Sequence, residues 1–266
     1  MAQPRGWLYA RAMTDHDLLE MAFGLADEAG AAILAIRSRG FETRRKADAS
    51  VVTEADHAAE ALIVAALRAA TPEIPVVAEE EIAGGHEPRQ SDAFWLVDPL
   101  DGTRGFAVGG DDFAVCIGLV RGGRPVLGVV GVPATGELFG AVAGQPPIKR
   151  DGGGQRRIAA RLPGAAGLSV MVSQHSSRST RLVSYLEGMR VAETLYASSA
   201  LKFCRVAEGA VDLYPRFGPT MEWDTAAGQA ILEAAGGSVV DAETGLALGY
   251  GKPGFRNSHF IAAGRR

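Results

Sequence analysis

Between Asp15 and about Arg37 the apolar positions Leu18, Leu19, Phe23, Leu25, Ile33 and Ile36 recur at helical spacing, and Gly40 closes the stretch. The pattern predicts a first helix, then a short strand over 41–45. Thr53-Glu54-Ala55-Asp56 opens a second helix, rich in Ala, Leu and Val, which Thr71-Pro72 stops near residue 70. A short apolar strand is predicted over 74–78, with Glu79, Glu80 and Glu81 at its end and a loop over 84–90.

The next block changes period. Continuous apolar runs over 94–97, 113–120, 125–132 and 137–143, separated by Gly-rich turns, predict four strands, the last three in an antiparallel meander. The first ends on Asp98-Pro99, since proline has no N–H to continue a ladder. Residues 144–167 read as irregular, with Asp151-Gly152-Gly153-Gly154 as an exposed turn. A strand over 168–173, helices over 180–188 and 199–208, a strand over 211–215, a helix over 224–235 and terminal strands over 238–241 and 259–262 complete the pattern. No internal repeat or low-complexity linker interrupts it. The expected architecture is a layered α/β protein whose two halves share one cleft: a leader over 1–14, then a single unit over 15–266, with halves at about 15–150 and 165–266.

Composition narrows the function classes. The chain has 266 residues, 47% hydrophobic and 22% charged, with a formal net charge of -4, which suits a globular protein with a sizeable core. No Lys/Arg run stands out, so a nucleic-acid polymer is not an expected partner. A small anion remains open, because local fields can oppose net charge. Cys116 and Cys204 both sit in apolar runs and read as buried free thiols of a reducing compartment. No stretch reaches the ~18 uninterrupted apolar residues of a membrane helix, and the expected compartment is the cytoplasm.

Candidate chemistry begins at Asp98-Pro99-Leu100-Asp101-Gly102-Thr103. Two carboxylates three residues apart across a turn can converge on a hard divalent cation, and the Leu100 carbonyl offers a third oxygen. A helix starting at Thr103 would add N–H groups suited to phosphate. A strand-end Asp and a turn Asp explain the same residues without any ligand. Each other signal has a plain structural account as well. Glu79 and Glu80 read as a solvated acidic run, and on a strand only one of them would face a site. Asp224 suits the N-cap of the helix that follows, and Thr53 with Asp56 fits a capping box. His175, Lys202 and Arg216 are anion binders or surface residues; Arg216 sits in the Pro/Gly-fixed segment Tyr214-Pro215-Arg216-Phe217-Gly218-Pro219.

Order and context join these signals. Val52-Thr53-Glu54-Ala55-Asp56, Ala78-Glu79-Glu80, Trp95-Leu96-Val97-Asp98-Pro99-Leu100-Asp101-Gly102-Thr103 and Glu222-Trp223-Asp224-Thr225-Ala226-Ala227-Gly228 together resemble the inositol monophosphatase family, from about Asp15 to the C-terminus. Leu201-Lys202-Phe203-Cys204-Arg205-Val206-Ala207-Glu208-Gly209 and Asp212-Leu213-Tyr214-Pro215-Arg216-Phe217-Gly218-Pro219-Thr220 resemble its bacterial 3'(2'),5'-bisphosphate nucleotidase branch. The resemblance implies a sugar-phosphatase-like fold, an α-β-α-β-α sandwich with mixed and antiparallel sheets.

It also implies a magnesium-dependent phosphomonoesterase that hydrolyses adenosine 3',5'-bisphosphate to AMP and phosphate. Two or three Mg²⁺ would be held by Glu79, Asp98, the Leu100 carbonyl, Asp101 and Asp224. Asp56 and Thr103 would activate water, with Glu79 beside them. Leu100, Asp101, Gly102 and Thr103 would bind phosphate, while His175, Ser199, Lys202, Arg216 and Asp224 would approach the substrate. Inositol 1-phosphate, histidinol phosphate or fructose 1,6-bisphosphate remain alternative substrates, and a catalytically silent nucleotide-binding regulator is a rival of another class. A homodimer and a peripheral association with the inner membrane stay open. Two departures bear on substrate choice: Arg104-Gly105-Phe106 stands where the branch has Lys-Glu-Phe, and Ser173-Gln174-His175-Ser176 shifts the expected Ser/His stretch.

Overall fold

The computed structural model describes residues 13–46, 50–89, 91–173 and 179–265. Helix α1 (Asp15–Arg39) leads into a two-stranded ribbon, β1 (Thr43–Arg45) and β2 (Val51–Thr53), and then α2 (Glu54–Ala70). Next come β3 (Val76–Ala78), α3 (Glu79–Ala83), β4 (Ala93–Asp101) and α4 (Thr103–Ala107). Strands β5 (Ala114–Arg121), β6 (Arg124–Val132), β7 (Glu137–Val142), β8 (Ile148–Asp151) and β9 (Gly154–Arg157) finish a seven-stranded sheet in sequence order β3 to β9. Only β3 and β4 run parallel within it.

The rest comprises β10 (Leu168–Val172), α5 (Thr180–Leu186), β11 (Val191–Tyr196), α6 (Leu201–Ala207) and β12 (Leu213–Arg216). A 3-10 turn (Glu222–Asp224), α7 (Ala226–Ala234), β13 (Ser238–Asp241) and β14 (Phe260–Ala263) follow. The second sheet has the order β11-β10-β12-β14-β13 and mixes parallel and antiparallel pairs.

The layers run α1/α2, seven-stranded sheet, α6/α7, five-stranded sheet, α5. One core lies between α1/α2 and the first sheet, with Phe23, Ile33, Ile63, Trp95 and Ile117 inside it. A second, with Cys116, Phe139, Phe203, Ile231 and Phe260, lies around α6 and α7 between the sheets. Leu182 of α5 closes the far face against Val170, Leu213 and Ile261. Covering both faces explains why the meander reads as continuous apolar runs rather than an alternation. Alternate residues still divide by face: Val115 and Ile117 enter the first core, Ala114 and Cys116 the second.

Several boundaries differ from the sequence expectation. Residues 1–12 of the expected leader lie outside the described residues, but Thr14 belongs to the fold. It caps α1 through a capping box with Asp17. Pro99 does not stop its strand: β4 continues to Asp101, with a register shift against β5 between Asp98 and Asp101 that absorbs the missing donor. Residues 144–167 are not irregular throughout, because β8 and β9 form a hairpin around the Asp151-to-Gly154 turn. Strand β11 was not expected. Its residues are mostly exposed at a sheet edge, so no apolar run announces it.

One close approach positions the later site. Gly118 and Gly128 face each other on β5 and β6, and α7 lies over them. A Cβ at Gly128 would sit 2.3 Å from the Ala227 carbonyl oxygen, and one at Gly118 2.9 Å from Ala226 Cβ. The two glycines open a groove that lets α7, and the turn before it, come down onto the first sheet.

Candidate active site

The end of β4 forms the floor of a cleft of about 640 Å³. Glu79, Asp98, Leu100, Asp101, Gly102, Thr103 and Asp224 line it, and Ser199, Lys202, Tyr214 and Arg216 face them from the second half. Gly102 turns the chain out of β4 at φ +99, where a Cβ would press to 3.0 Å from the Asp112 carbonyl. Only glycine adopts that conformation readily in so little space. Helix α4 then begins at Thr103 with no side-chain cap. It is five residues long, so its contribution to an anion is a few free N–H groups rather than a macrodipole.

Asp98 Oδ1 accepts from the Leu100 amide at 3.0 Å. Asp101 Oδ2 accepts from the Ala200 amide at 2.5 Å, which ties the floor to the second half. Asp224 is not the N-cap of α7: Thr225 holds that position. Asp224 instead ends the 3-10 turn and accepts from the Met221 amide at 2.8 Å. Glu79 and Glu80 open α3 rather than ending a strand, so they do not point to opposite faces. Both carboxylates meet the Lys46 ammonium, at 2.7 and 2.6 Å. Burial disfavours that ammonium, but the two carboxylates outweigh it and its pKa is raised.

These acids strain against one another. Burial first, then the charges of Glu79, Asp101, Asp224 and Asp56, push the Asp98 carboxyl well above its ordinary range. Burial and Asp101 do the same to Asp224. Burial raises Asp101 as well, against the pull of Lys202 and the Ala200 amide. Among the described residues no three Asp, Glu, His or Cys side chains close a cage around one point. The carboxylates line one wall instead, with Asp98, Asp101 and Asp224 each held by its own backbone donor. An all-oxygen, strongly anionic wall of this kind fits a hard divalent cation, whose charge would relieve the repulsion.

Asp56 uses its two carboxylate oxygens for different partners. Its Oδ2 accepts from the Thr53 amide and hydroxyl, both at 2.7 Å, completing the capping box of α2. Its Oδ1 lies 2.9 Å from the Thr103 hydroxyl, 47 residues away in sequence. That hydroxyl also lies 2.8 Å from the Leu100 carbonyl. Thr103 lines the cleft, while Asp56 stands behind it.

On the opposite wall Ser199 takes φ +58, in the left-handed region. The bend turns the Ala200 amide toward Asp101 and the Ser199 carbonyl toward Lys202, whose ammonium donates to it at 2.6 Å. Lys202 is buried, with its ammonium 4.9 Å from the centre of the Tyr214 ring. Burial, reinforced by Arg216 and opposed by Asp101, lowers its pKa to about 8. Arg216 donates to the Pro219 carbonyl at 3.1 Å. His175 lies outside the described residues. Sequence reasoning missed Lys46, and it missed Glu60, whose carboxylate accepts from the Glu80 and Glu81 amides at 2.7 and 2.9 Å. The available signal for Glu60 was an acid one helical turn after Asp56, on the apolar face of α2.

The profile of the inositol monophosphatase family matches residues 14–264. The chain belongs to that family. The 3'(2'),5'-bisphosphate nucleotidase CysQ of Salmonella typhimurium is 41% identical over 247 residues, covering 90% of this chain and 98% of that one. The structure of CysQ from Bacteroides thetaiotaomicron superposes with a TM-score of 0.77 at 35% identity, covering 92% and 97%. An inositol monophosphatase from Zymomonas mobilis superposes with a TM-score of 0.78 at 26% identity, covering 96% and 95%. The backbone is thus equally close to two kinds of family member, and the sequence is what leans toward one.

Proposed function

We propose that this protein is a magnesium-dependent phosphomonoesterase that removes the 3'-phosphate from adenosine 3',5'-bisphosphate. The observation that carries this reading is the opposition, within one cleft, of the acid wall of Glu79, Asp98, Asp101 and Asp224 to the cationic wall of Lys202 and Arg216. A phosphate at the acid wall needs a metal to be held there, and a second anionic group on the same substrate meets the cations. The names of the CysQ relatives support the substrate class.

Glu79, Asp98, the Leu100 carbonyl, Asp101 and Asp224 would hold the ions. Bound there, magnesium supplies charge neutralisation at the phosphoryl group and acidifies the attacking water. Thr103 is the group that touches this water. Asp56 Oδ1 takes the Thr103 hydroxyl proton, which leaves the Thr103 oxygen to accept from the water and pass its proton toward the carboxylate. The uncapped N–H groups at Gly102 and Thr103 cradle the phosphate. Ser199 and Lys202 hold the far end of the substrate with Arg216. On this reading residues 15–150 supply most of the metal wall and 165–266 the substrate wall, with Asp224 crossing from the second half to the first. Among the described residues no helix is long and apolar enough to cross a membrane.

Phosphate release with Mg²⁺ tests the assignment across adenosine 3',5'-bisphosphate, its sulfated analogue, inositol 1-phosphate, histidinol phosphate and fructose 1,6-bisphosphate. The first is expected to give the highest kcat/KM, and turnover of inositol 1-phosphate alone would overturn the reading. Asp98→Asn keeps the acceptor for the Leu100 amide but removes the charge. It is expected to lower kcat by roughly two orders of magnitude or more while circular dichroism stays unchanged.

A further inference from the structure

We infer that Glu60 is the positioning residue that aims Glu79 into the cleft. The inference rests on the reading of Glu79 as a metal ligand. Helix α3 starts at Glu79 directly after β3, and the residue at its N-cap is Ala78, which has no side chain able to cap it. The first N–H groups of a helix have no partner within it and must find one elsewhere. Here they find Glu60, twenty residues earlier on α2. Its Oε2 accepts from the Glu80 amide at 2.7 Å and its Oε1 from the Glu81 amide at 2.9 Å. Both oxygens are engaged at once, so the carboxylate fixes the rotation of the first turn of α3 and not only its distance.

The arrangement is costly if its purpose is only to close a helix end. The Glu60 carboxylate is buried, and taking a charge out of water is costly even where its hydrogen bonds are made. An Asp or Ser at position 78 would cap the same turn locally. What a local cap would not do is tie α3 to α2. The buried face of α2 carries Asp56 and, one turn later, Glu60. Asp56 sets the Thr103 hydroxyl and Glu60 sets the turn that bears Glu79. One rigid helix thereby registers the water-activating pair and an acid of the metal wall against each other, which a reaction between a bound water and a bound phosphate requires. Carboxylates behind metal ligands act in this way when they hold the ligand's own frame.

Magnesium binding by calorimetry, without substrate, tests the idea in wild type, Glu60→Ala, Glu60→Gln and Glu79→Gln, alongside hydrogen exchange at the Glu80 and Glu81 amides. Glu60→Ala is expected to weaken magnesium about tenfold to a hundredfold, to speed exchange at both amides, and to leave KM for the substrate at saturating magnesium within about twofold of wild type. Glu60→Gln keeps one acceptor oxygen and is expected to fall between the two. A folded Glu60→Ala or Glu60→Gln protein with wild-type magnesium affinity and lower thermal stability alone would make Glu60 structural and overturn the inference. If Glu79→Gln binds magnesium as wild type does, the ligand assignment itself fails. If Glu79→Gln weakens binding and neither Glu60 variant does, only the positioning role fails.

Discussion

At the scale of single residues, what the sequence made legible was set by short spacing. Thr53 and Asp56 are three apart, so their capping box can be read directly, as can the Asp98–Asp101 pair. The second use of Asp56, through Thr103, depends on the start of α4 coming against β2 and the first turn of α2, and only the family resemblance indicated it. Glu60 and Lys46 carry no motif, because their partners are set entirely by tertiary packing. Lys202 has a consequence that geometry and burial fix together. Its ammonium is held in the ordinary pH range of assays, at a pKa of about 8. The folded value is lowered, so the unfolded chain binds more protons between about 8 and 10.5, and this group favours folding increasingly as pH rises there. With Lys202 as the proposed substrate contact, substrate binding has the opposite sign, since the ammonium is lost over the same range. The value of kcat/KM for an anionic substrate, which reports the free enzyme, is expected to fall about tenfold as pH rises through about 8. Lys202→Met is expected to start low and lack that limb. A basic limb of equal size in the variant would separate it from Lys202.

At the scale of elements, long apolar patterns were readable and short polar ones were not. Helices α1 and α2 and the β5-to-β7 meander bury enough surface to leave a period or a run. Strands β8 and β9 are short and largely polar, and β11 lies mostly exposed at a sheet edge with Glu193 and Thr194 interrupting its apolar residues, so their pairing leaves little trace in residue type. The acids of 79–81 read as a strand end because a five-residue helix has too little length to show a period. The fit of α7 onto β5 and β6 is equally hidden, since a glycine in a strand gives no sign of what presses on it. Gly128→Ala puts a methyl group 2.3 Å from the Ala227 carbonyl oxygen, against backbone that cannot rotate away. Helix α7 must lift, and Asp224 two residues before it must move. The expected result is a loss of at least about 2 kcal/mol in urea unfolding, with weaker magnesium binding in the protein that remains folded. A mere loss of stability with intact magnesium affinity would show that the turn bearing Asp224 is held independently of α7.

At the scale of the whole molecule, the two halves are joined at the cleft and again by an ion-pair cluster outside its lining. Lys149 of β8 meets Glu137 of β7, and its ammonium lies 2.8 Å from Glu208, just past α6. Arg205 of α6 forks onto Glu137 at 2.9 and 2.6 Å and reaches Glu208 at 2.6 Å. Both cations also sit over the Phe139 ring. This cluster fastens the seven-stranded sheet to the helix that carries Lys202. No motif announces it, since its members come from three separate elements. The Arg205 hydrogen bonds, with further help from Lys149 and Thr135, outweigh burial and hold the Glu137 carboxyl at a pKa of about 2. That value is depressed, so the stabilisation is fully present above the ordinary value of 4.5 and is lost as pH falls through about 2. Glu137→Gln removes the charge and leaves Arg205 and Lys149 to share Glu208, with Asp151 a further 3.9 Å contact of Lys149. It is expected to cost about 3 kcal/mol at pH 7 and to flatten the decline of stability between pH 4.5 and 2. Urea unfolding of both proteins across that range measures the difference. A constant gap at every pH would mean that the Glu137 charge is not what joins the sheet to α6, and that the halves are held together by the apolar core between them.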